Sequence, residues 1–252
     1  MNDLRATWRR RLDPEERYGL RLSLFAVAFL LVAIPFGVLI EQVVRNGWLV
    51  GVDTSAARGL HGWVRQSPGA VRALKVLTAL GTPVWFYVLV PLCALWLWWR
   101  HQRRLALFVM VTTVVGGLLD TVVKLAVDRS RPSLVDPVAT ASGASFPSGH
   151  VMGATVVYGA LLLVFLPYVA RRRRVAVVVG AGALVAAIGF SRLALGVHFI
   201  TDVVGGFVLG LAWLAASAAA FSIWRVDRGL APVEPLDGLE PELAGDDARR
   251  SP

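Results

Sequence analysis

Residues 145–150 read Ser145-Phe146-Pro147-Ser148-Gly149-His150, and the chain then runs uncharged and mostly apolar from residue 151 to residue 169. Ser148 is a favourable N-cap, and a helix starting there turns free backbone N–H groups and its positive dipole end toward the hexapeptide. That arrangement binds anions, phosphate above all. Gly149 lets a ligand approach the backbone closely, and His150 places a titratable ring at the mouth. The same residues also read as an ordinary helix cap carrying a surface histidine. The rest of the chain decides between the two.

The apolar run after His150 has company. The chain has 252 residues, 56% hydrophobic and only 17% charged, with a mean hydropathy of +0.62. Soluble domains carry a charged share of about a quarter. The apolar residues cluster at 22–44, 84–99, 105–127, 149–169, 175–195 and 199–224, close to the ~20 residues that cross a bilayer as a helix. The expected fold is an all-α polytopic membrane bundle of six transmembrane helices. Trp96, Trp98 and Trp99 mark a headgroup boundary, because tryptophan prefers the membrane interface. Pro35 lies inside the first run, where a membrane helix tolerates a kink.

Net charge is +9 and the sequence pI about 10.9. The cations sit in short clusters between apolar runs, where they set topology. No aromatic-interleaved basic strip is present, so a nucleic-acid partner is not expected. Cys93 is the single cysteine, which excludes an internal disulfide and any multi-cysteine metal site. No cleavable signal peptide is expected, since the first apolar run is long enough to remain as a span. Nothing in the sequence encodes an oligomeric state.

Three regions follow from this pattern. Residues 1–21 form a basic cytoplasmic leader, 22–224 the six-span domain, and 225–252 a disordered cytoplasmic tail rich in Pro, Asp, Glu, Gly and Arg. Within the domain, 46–82 reads as an amphipathic extracytoplasmic segment. It holds a helix capped around Val52-Asp53-Thr54, a turn at Gln66-Ser67-Pro68-Gly69 and a second helix through Leu80. This pair reads either as an interfacial lid for an amphiphile or as packing against the bundle ends. Six spans place both termini on one side with the basic clusters at 100–104, 171–174 and 225/228. By the positive-inside rule that side is cytoplasmic, so the 128–150 connection and the 191–198 corner face outward.

Three polar groups sit at span ends on that outer side. Lys124 and Arg131 are seven residues apart, two helical turns, with Pro132 ending the helical tendency at Arg131. A lysine inside an apolar run needs a partner or an aqueous cavity. Snorkelling, or pairing with Asp120 or Asp128, would equally satisfy Lys124. The second group is Ser148-Gly149-His150. The third is Ser191-Arg192, then His198 and Asp202, four residues apart and on one helical face. A carboxylate on one imidazole nitrogen fixes the tautomer and frees the other to attack or accept a proton. A buried structural contact would use the same pair. Taken together, Lys124, Arg131 and Arg192 suit a phosphoryl group, Ser148 and the Gly149 amide add hydrogen bonds, and two histidines supply a nucleophile and an acid.

Lys124-x6-Arg131-Pro132, Pro147-Ser148-Gly149-His150 and Ser191-Arg192-x5-His198-x3-Asp202 resemble the three signature motifs of the type 2 phosphatidic acid phosphatase superfamily. They match in residue type, spacing and order. The resemblance implies an integral-membrane lipid phosphatase with its site at the extracytoplasmic interface. It implies His198 as the nucleophile that forms a phosphohistidine, Asp202 as its orienter, and His150 as acid and then base. Lys124, Arg131, Ser148, Gly149 and Arg192 would hold the phosphate, with no metal and no cofactor. A prenyl pyrophosphate carrier such as undecaprenyl pyrophosphate, phosphatidic acid and phosphatidylglycerol phosphate all fit as substrates. The compact chain points to a bacterial plasma-membrane enzyme and, by family analogy, to the prenyl carrier. Transfer of the phosphohistidine to a second lipid or sugar, or non-catalytic phospholipid binding, would use the same pocket.

Overall fold

The computed structural model describes residues 33–45, 47–134, 136–228, 230 and 237–242. The expected leader 1–21, the start of the first span and the tail residues 231–236 and 243–252 lie outside the described residues.

The described residues form helices and turns, with no strand among them. We number the helices α1 Ala33–Val44, then α2 Trp48–Val64, α3 Pro68–Ala79, α4 Pro83–Trp99, α5 Arg103–Val127, α6 Gly149–Phe165, α7 Arg171–Ala194 and α8 Ile200–Asp227. A 3-10 turn, Leu166–Tyr168, closes α6. Among the described residues, five segments are long and apolar enough to span a membrane: Pro68–Trp99 (α3 with α4), α5, α6 with its 3-10 turn, α7, and α8 as far as Arg225. The expected first span is described only from residue 33, as α1.

Local chemistry explains the boundaries. Ser67 Oγ and Thr82 Oγ1 accept from the Ala70 and Trp85 amides, and Pro68 and Pro83 occupy the first helical positions. Asp128 ends α5 in the left-handed region at φ 41°, a conformation Asp tolerates better than most residues. The helix therefore stops before Arg131, which lies in the connection.

α6 is the central helix. Of its span 56% is buried, against 17–28% for the other four, and it packs on α4, α5, α7 and α8. Small residues permit that closeness, as in other membrane bundles. A Cβ on Gly206 of α8 would lie 2.7 Å from Ser148 O, and one on Gly210 would lie 2.9 Å from the Thr155 Cβ. The Gly206 approach brings the start of α8 against the start of α6.

The bundle has two chemically different ends. At one, Arg103 and Arg104 stack on Trp98 and Trp224 at 4.9 Å. Residues 237–242 dock there: Asp237 pairs with Arg174 at 2.5 Å, Glu242 with Arg225 at 2.6 Å, and Leu239 is buried in the core. This differs from the disordered tail expected from 225 onward. α8 continues to Asp227, and one apolar side chain between acids is enough to seat residues 237–242 on the arginines.

At the other end lie α2 and α3, which pack on α7, with α2 also touching α8. Phe36 of α1 stacks on Phe146 there, with centroids 5.8 Å apart. The two helices expected within 46–82 are present, but α2 starts at Trp48, so Asp53 does not cap it. Asp53 is 1% exposed because it is taken up by a contact with α8 described below.

Candidate active site

Every candidate phosphate-binding and catalytic residue the sequence singled out comes to that second end. Lys124 ends α5, Arg131 lies in the connection, Ser148, Gly149 and His150 begin α6, Arg192 is in the last turn of α7, and His198 and Asp202 flank the start of α8. One cavity of about 730 Å³ is lined by Lys124, Arg131, Gly149, His150, Arg192 and His198. Ser148 and Asp202 stand behind its wall, both fully buried.

His198 precedes α8 rather than sharing its face with Asp202, since α8 begins at Ile200. Asp202 Oδ2 accepts the Phe199 amide at 2.9 Å and meets His198 Nδ1 at 3.3 Å. Arg131 Nη1 lies 3.2 Å from His198 Nε2. Arginine has only donors, so Nε2 accepts and Nδ1 carries the proton toward Asp202. The ring is thus held in one tautomer with its Nε2 lone pair toward the Arg131 guanidinium. Burial pushes the His198 pKa below the ordinary imidazole value, and Asp202 opposes that shift without reversing it.

The Arg131 guanidinium also donates to the carbonyls of Ser142, Gly143, Ala144 and Val197 at 2.9–3.2 Å. It therefore stitches the 142–144 loop to the His198 corner and reaches the site through the same fork. Burial lowers its pKa, countered by Asp202, and the group remains a cation at neutral pH.

Sequence reasoning missed the layer behind Asp202. Arg129 Nη1 donates to Asp202 Oδ1 at 2.6 Å and to Thr201 Oγ1 at 2.7 Å, while Nη2 pairs with Asp53 Oδ2 at 2.8 Å. Asp53 Oδ1 accepts the Thr201 amide at 3.0 Å, and Oδ2 accepts the Thr201 hydroxyl. A carboxylate from α2 therefore caps the first turn of α8, favourable both for the free amide and for the helix dipole. The Arg129 guanidinium also lies 4.2 Å from the Phe199 ring centroid. Arg129 was visible as a second arginine beside Arg131. Asp53 carried no such signal.

Lys124 Nζ is held by Asp120 Oδ1 and Oδ2 at 2.7 and 2.6 Å and by Pro147 O at 2.7 Å. Asp120, not Asp128, is its partner, because Asp128 is turned into the helix-ending conformation. A Cβ on Gly149 would lie 3.0 Å from Asp120 Oδ2 and 3.1 Å from Lys124 Nζ, so the cation and the α6 N-terminus meet only across glycine. The Ser148 amide donates to Asp202 O at 2.9 Å. Its hydroxyl makes no cap bond, contrary to the sequence expectation, and is buried with no partner among the described residues. Arg192 gives Nη1 to Thr78 Oγ1 at 3.2 Å, and its buried Nε likewise has no partner among the described residues. The site thus offers cations, unpaired donors and an oriented imidazole around one cavity, the equipment for taking a tetrahedral anion.

Comparison with known proteins finds relatives among bacterial lipid phosphatases. Phosphatidylglycerophosphatase B of Bacillus subtilis is 33% identical over 151 residues, 59% of this chain and 73% of that protein. The chain belongs to the PAP2 superfamily. The PAP2 superfamily model matches residues 104–225, which hold all three PAP2 motifs. Undecaprenyl-diphosphatase BcrC of Bacillus subtilis is 31% identical over 130 residues, 50% of this chain and 62% of that protein. The crystal structure of a transmembrane PAP2-type phosphatidylglycerolphosphate phosphatase from Bacillus subtilis aligns with a TM-score of 0.70. It has 25% sequence identity and covers 81% of this chain and 98% of that one.

Proposed function

We propose that this membrane phosphatase of the PAP2 superfamily hydrolyses the terminal phosphate of a lipid through a phosphohistidine. The observation that carries the reading is His198, a cavity-lining residue with Nδ1 toward Asp202 and Nε2 toward the cavity-lining Arg131. The Nε2 lone pair attacks phosphorus as the ester P–O bond breaks, and His150 gives its proton to the leaving oxygen. His150 then takes a proton from water as that water's oxygen displaces Nε2 and frees inorganic phosphate. Lys124, Arg131 and Arg192, with the Ser148 hydroxyl and the Gly149 amide, neutralise the equatorial oxygens. No step requires a metal.

The cavity continues from these groups along α4, α5 and α6, past Phe86, Tyr87, Val90, Met110 and Val114. An apolar tail would lie there while the phosphate meets the cations. Kinship with phosphatidylglycerophosphatase B favours a phosphatidylglycerophosphate-like lipid. The match to an undecaprenyl-diphosphatase supports a second reading, a prenyl diphosphate. The clustering of arginines at the end opposite the cavity supports a six-span arrangement in the plasma membrane with the site facing outward.

The test is phosphate release by detergent-purified protein in EDTA, with phosphatidylglycerophosphate, phosphatidic acid and undecaprenyl diphosphate as substrates and His198→Ala in parallel. Release in EDTA that vanishes in the variant is expected. No release from any of the three lipids would overturn the reading.

A further inference from the structure

One carboxylate, Asp120, is among the residues lining the cavity, and in the phosphate-binding set it serves only to hold Lys124. Asp120 lies one turn before Lys124 on α5, about 6 Å deeper into the membrane, and its side chain is 18% exposed. Along the cavity face of α5 come Val114, Gly117, Asp120, Thr121 and Lys124. Along α5, Asp120 therefore stands between the cation cluster and the apolar part, a position we call the neck, against the Gly149 backbone. A lipid lying along this face of α5, with its phosphate at Lys124 and its tail beside Val114, runs past its carboxylate.

Both Asp120 oxygens bind the one ammonium, but a carboxylate has about four acceptor sites. Lone pairs remain for a donor in the neck. A hydroxyl on the second carbon from the leaving oxygen would fill them. A second phosphate bonded directly to the leaving oxygen would place like charge against like charge.

We propose that Asp120 reads the leaving group, accepting a hydrogen bond from a glycerol-type hydroxyl and disfavouring a diphosphate. The inference rests on the reading of this cavity as a lipid phosphatase site. Phosphatidylglycerophosphate carries such a hydroxyl beside its terminal phosphate, with a glycerol unit separating its second phosphate from the scissile bond. A prenyl diphosphate has no hydroxyl and bears its second phosphate at the neck.

The experiment compares kcat/KM for phosphatidylglycerophosphate with that for farnesyl diphosphate in the wild type, Asp120→Ala and Asp120→Asn. The ratio is independent of the folded fraction and of any common effect of releasing Lys124. We expect it to fall about tenfold or more in Asp120→Ala, as when a site built for a hydroxyl loses its acceptor. It should be partly restored in Asp120→Asn, which keeps a neutral acceptor. An unchanged ratio in an active Asp120→Ala would overturn the inference alone, leaving Asp120 as no more than the holder of Lys124. A wild type inactive on both lipids would overturn it together with the phosphatase reading.

Discussion

Arg129 Nη1 lies 2.6 Å from Asp202 Oδ1, and the same guanidinium reaches Asp53 Oδ2 at 2.8 Å. One arginine thus joins the carboxylate that orients His198 to a carboxylate from the distant helix α2. All three side chains are at most 9% exposed. Removing one partner of a buried pair strands the others, at a cost of about 3–5 kcal/mol. Arg129→Ala and Asp53→Ala should each lower thermal stability in detergent. Because the contact acts through Asp202, kcat should fall while KM changes little. A variant that raises KM and leaves kcat intact would contradict this role.

The two histidines should fail differently. In the proposed mechanism His198 supplies the atom that bonds to phosphorus, so His198→Ala should abolish turnover while leaving lipid binding in place. His150→Ala removes only a proton donor, worth about 10²–10⁴-fold. Its loss should shrink with substrates whose leaving group is a good phenolate, such as an aryl phosphate. Single-turnover kinetics with both variants checks the difference. Equal losses on lipid and aryl phosphates for His150→Ala would remove it from the acid role.

The pH profile follows from the His198 environment. Attack requires neutral imidazole, and burial holds the His198 pKa below its ordinary value. Lowering pH through that depressed pKa protonates the ring, so the acid limb of kcat/KM should lie below about 6.5, the unperturbed imidazole value. The Asp202 charge favours the imidazolium. Asp202→Asn should therefore shift the acid limb to still lower pH while reducing the maximal rate. A shift to higher pH would show the sign to be wrong.

Ser148 separates stability from activity. Its hydroxyl is buried without a partner among the described residues, and such a group costs about 1–3 kcal/mol. Ser148→Ala should leave the melting temperature equal or higher and lower kcat/KM for the lipid phosphate. Loss of both would mean the hydroxyl stabilises the fold itself.

At the basic end, Leu239 is 7% exposed and joins the core from the C-terminal segment. Leu239→Ala should destabilise the protein by about 2–3 kcal/mol with kcat/KM nearly unchanged, since the site lies at the other end. Thermal unfolding and phosphate release on one preparation check this.

Much of the cavity lining was legible beforehand. Lys124, Arg131, Gly149, His150, Arg192 and His198 all line the one cavity, and the residues that bring them there are local: caps, prolines and a helix-ending aspartate. Ser148 does stand at the N-cap position of α6, but its hydroxyl makes no cap bond, which the sequence pattern did not reveal. Asp53 was misread as a cap of its own helix. Its partner Thr201 is 148 residues away, and no local pattern reports a contact of that range.

The sequence by itself determined the membrane-spanning character, since long apolar runs can satisfy their backbone groups in a bilayer only as helices. It also picked out residues that line the cavity, through motifs at helix ends. The tertiary structure decided how those residues are held: Arg129 between Asp53 and Asp202, Lys124 on Asp120, Arg131 across four carbonyls. Side-chain pairing between helices depends on packing distances in three dimensions, and spacing along one chain does not contain them.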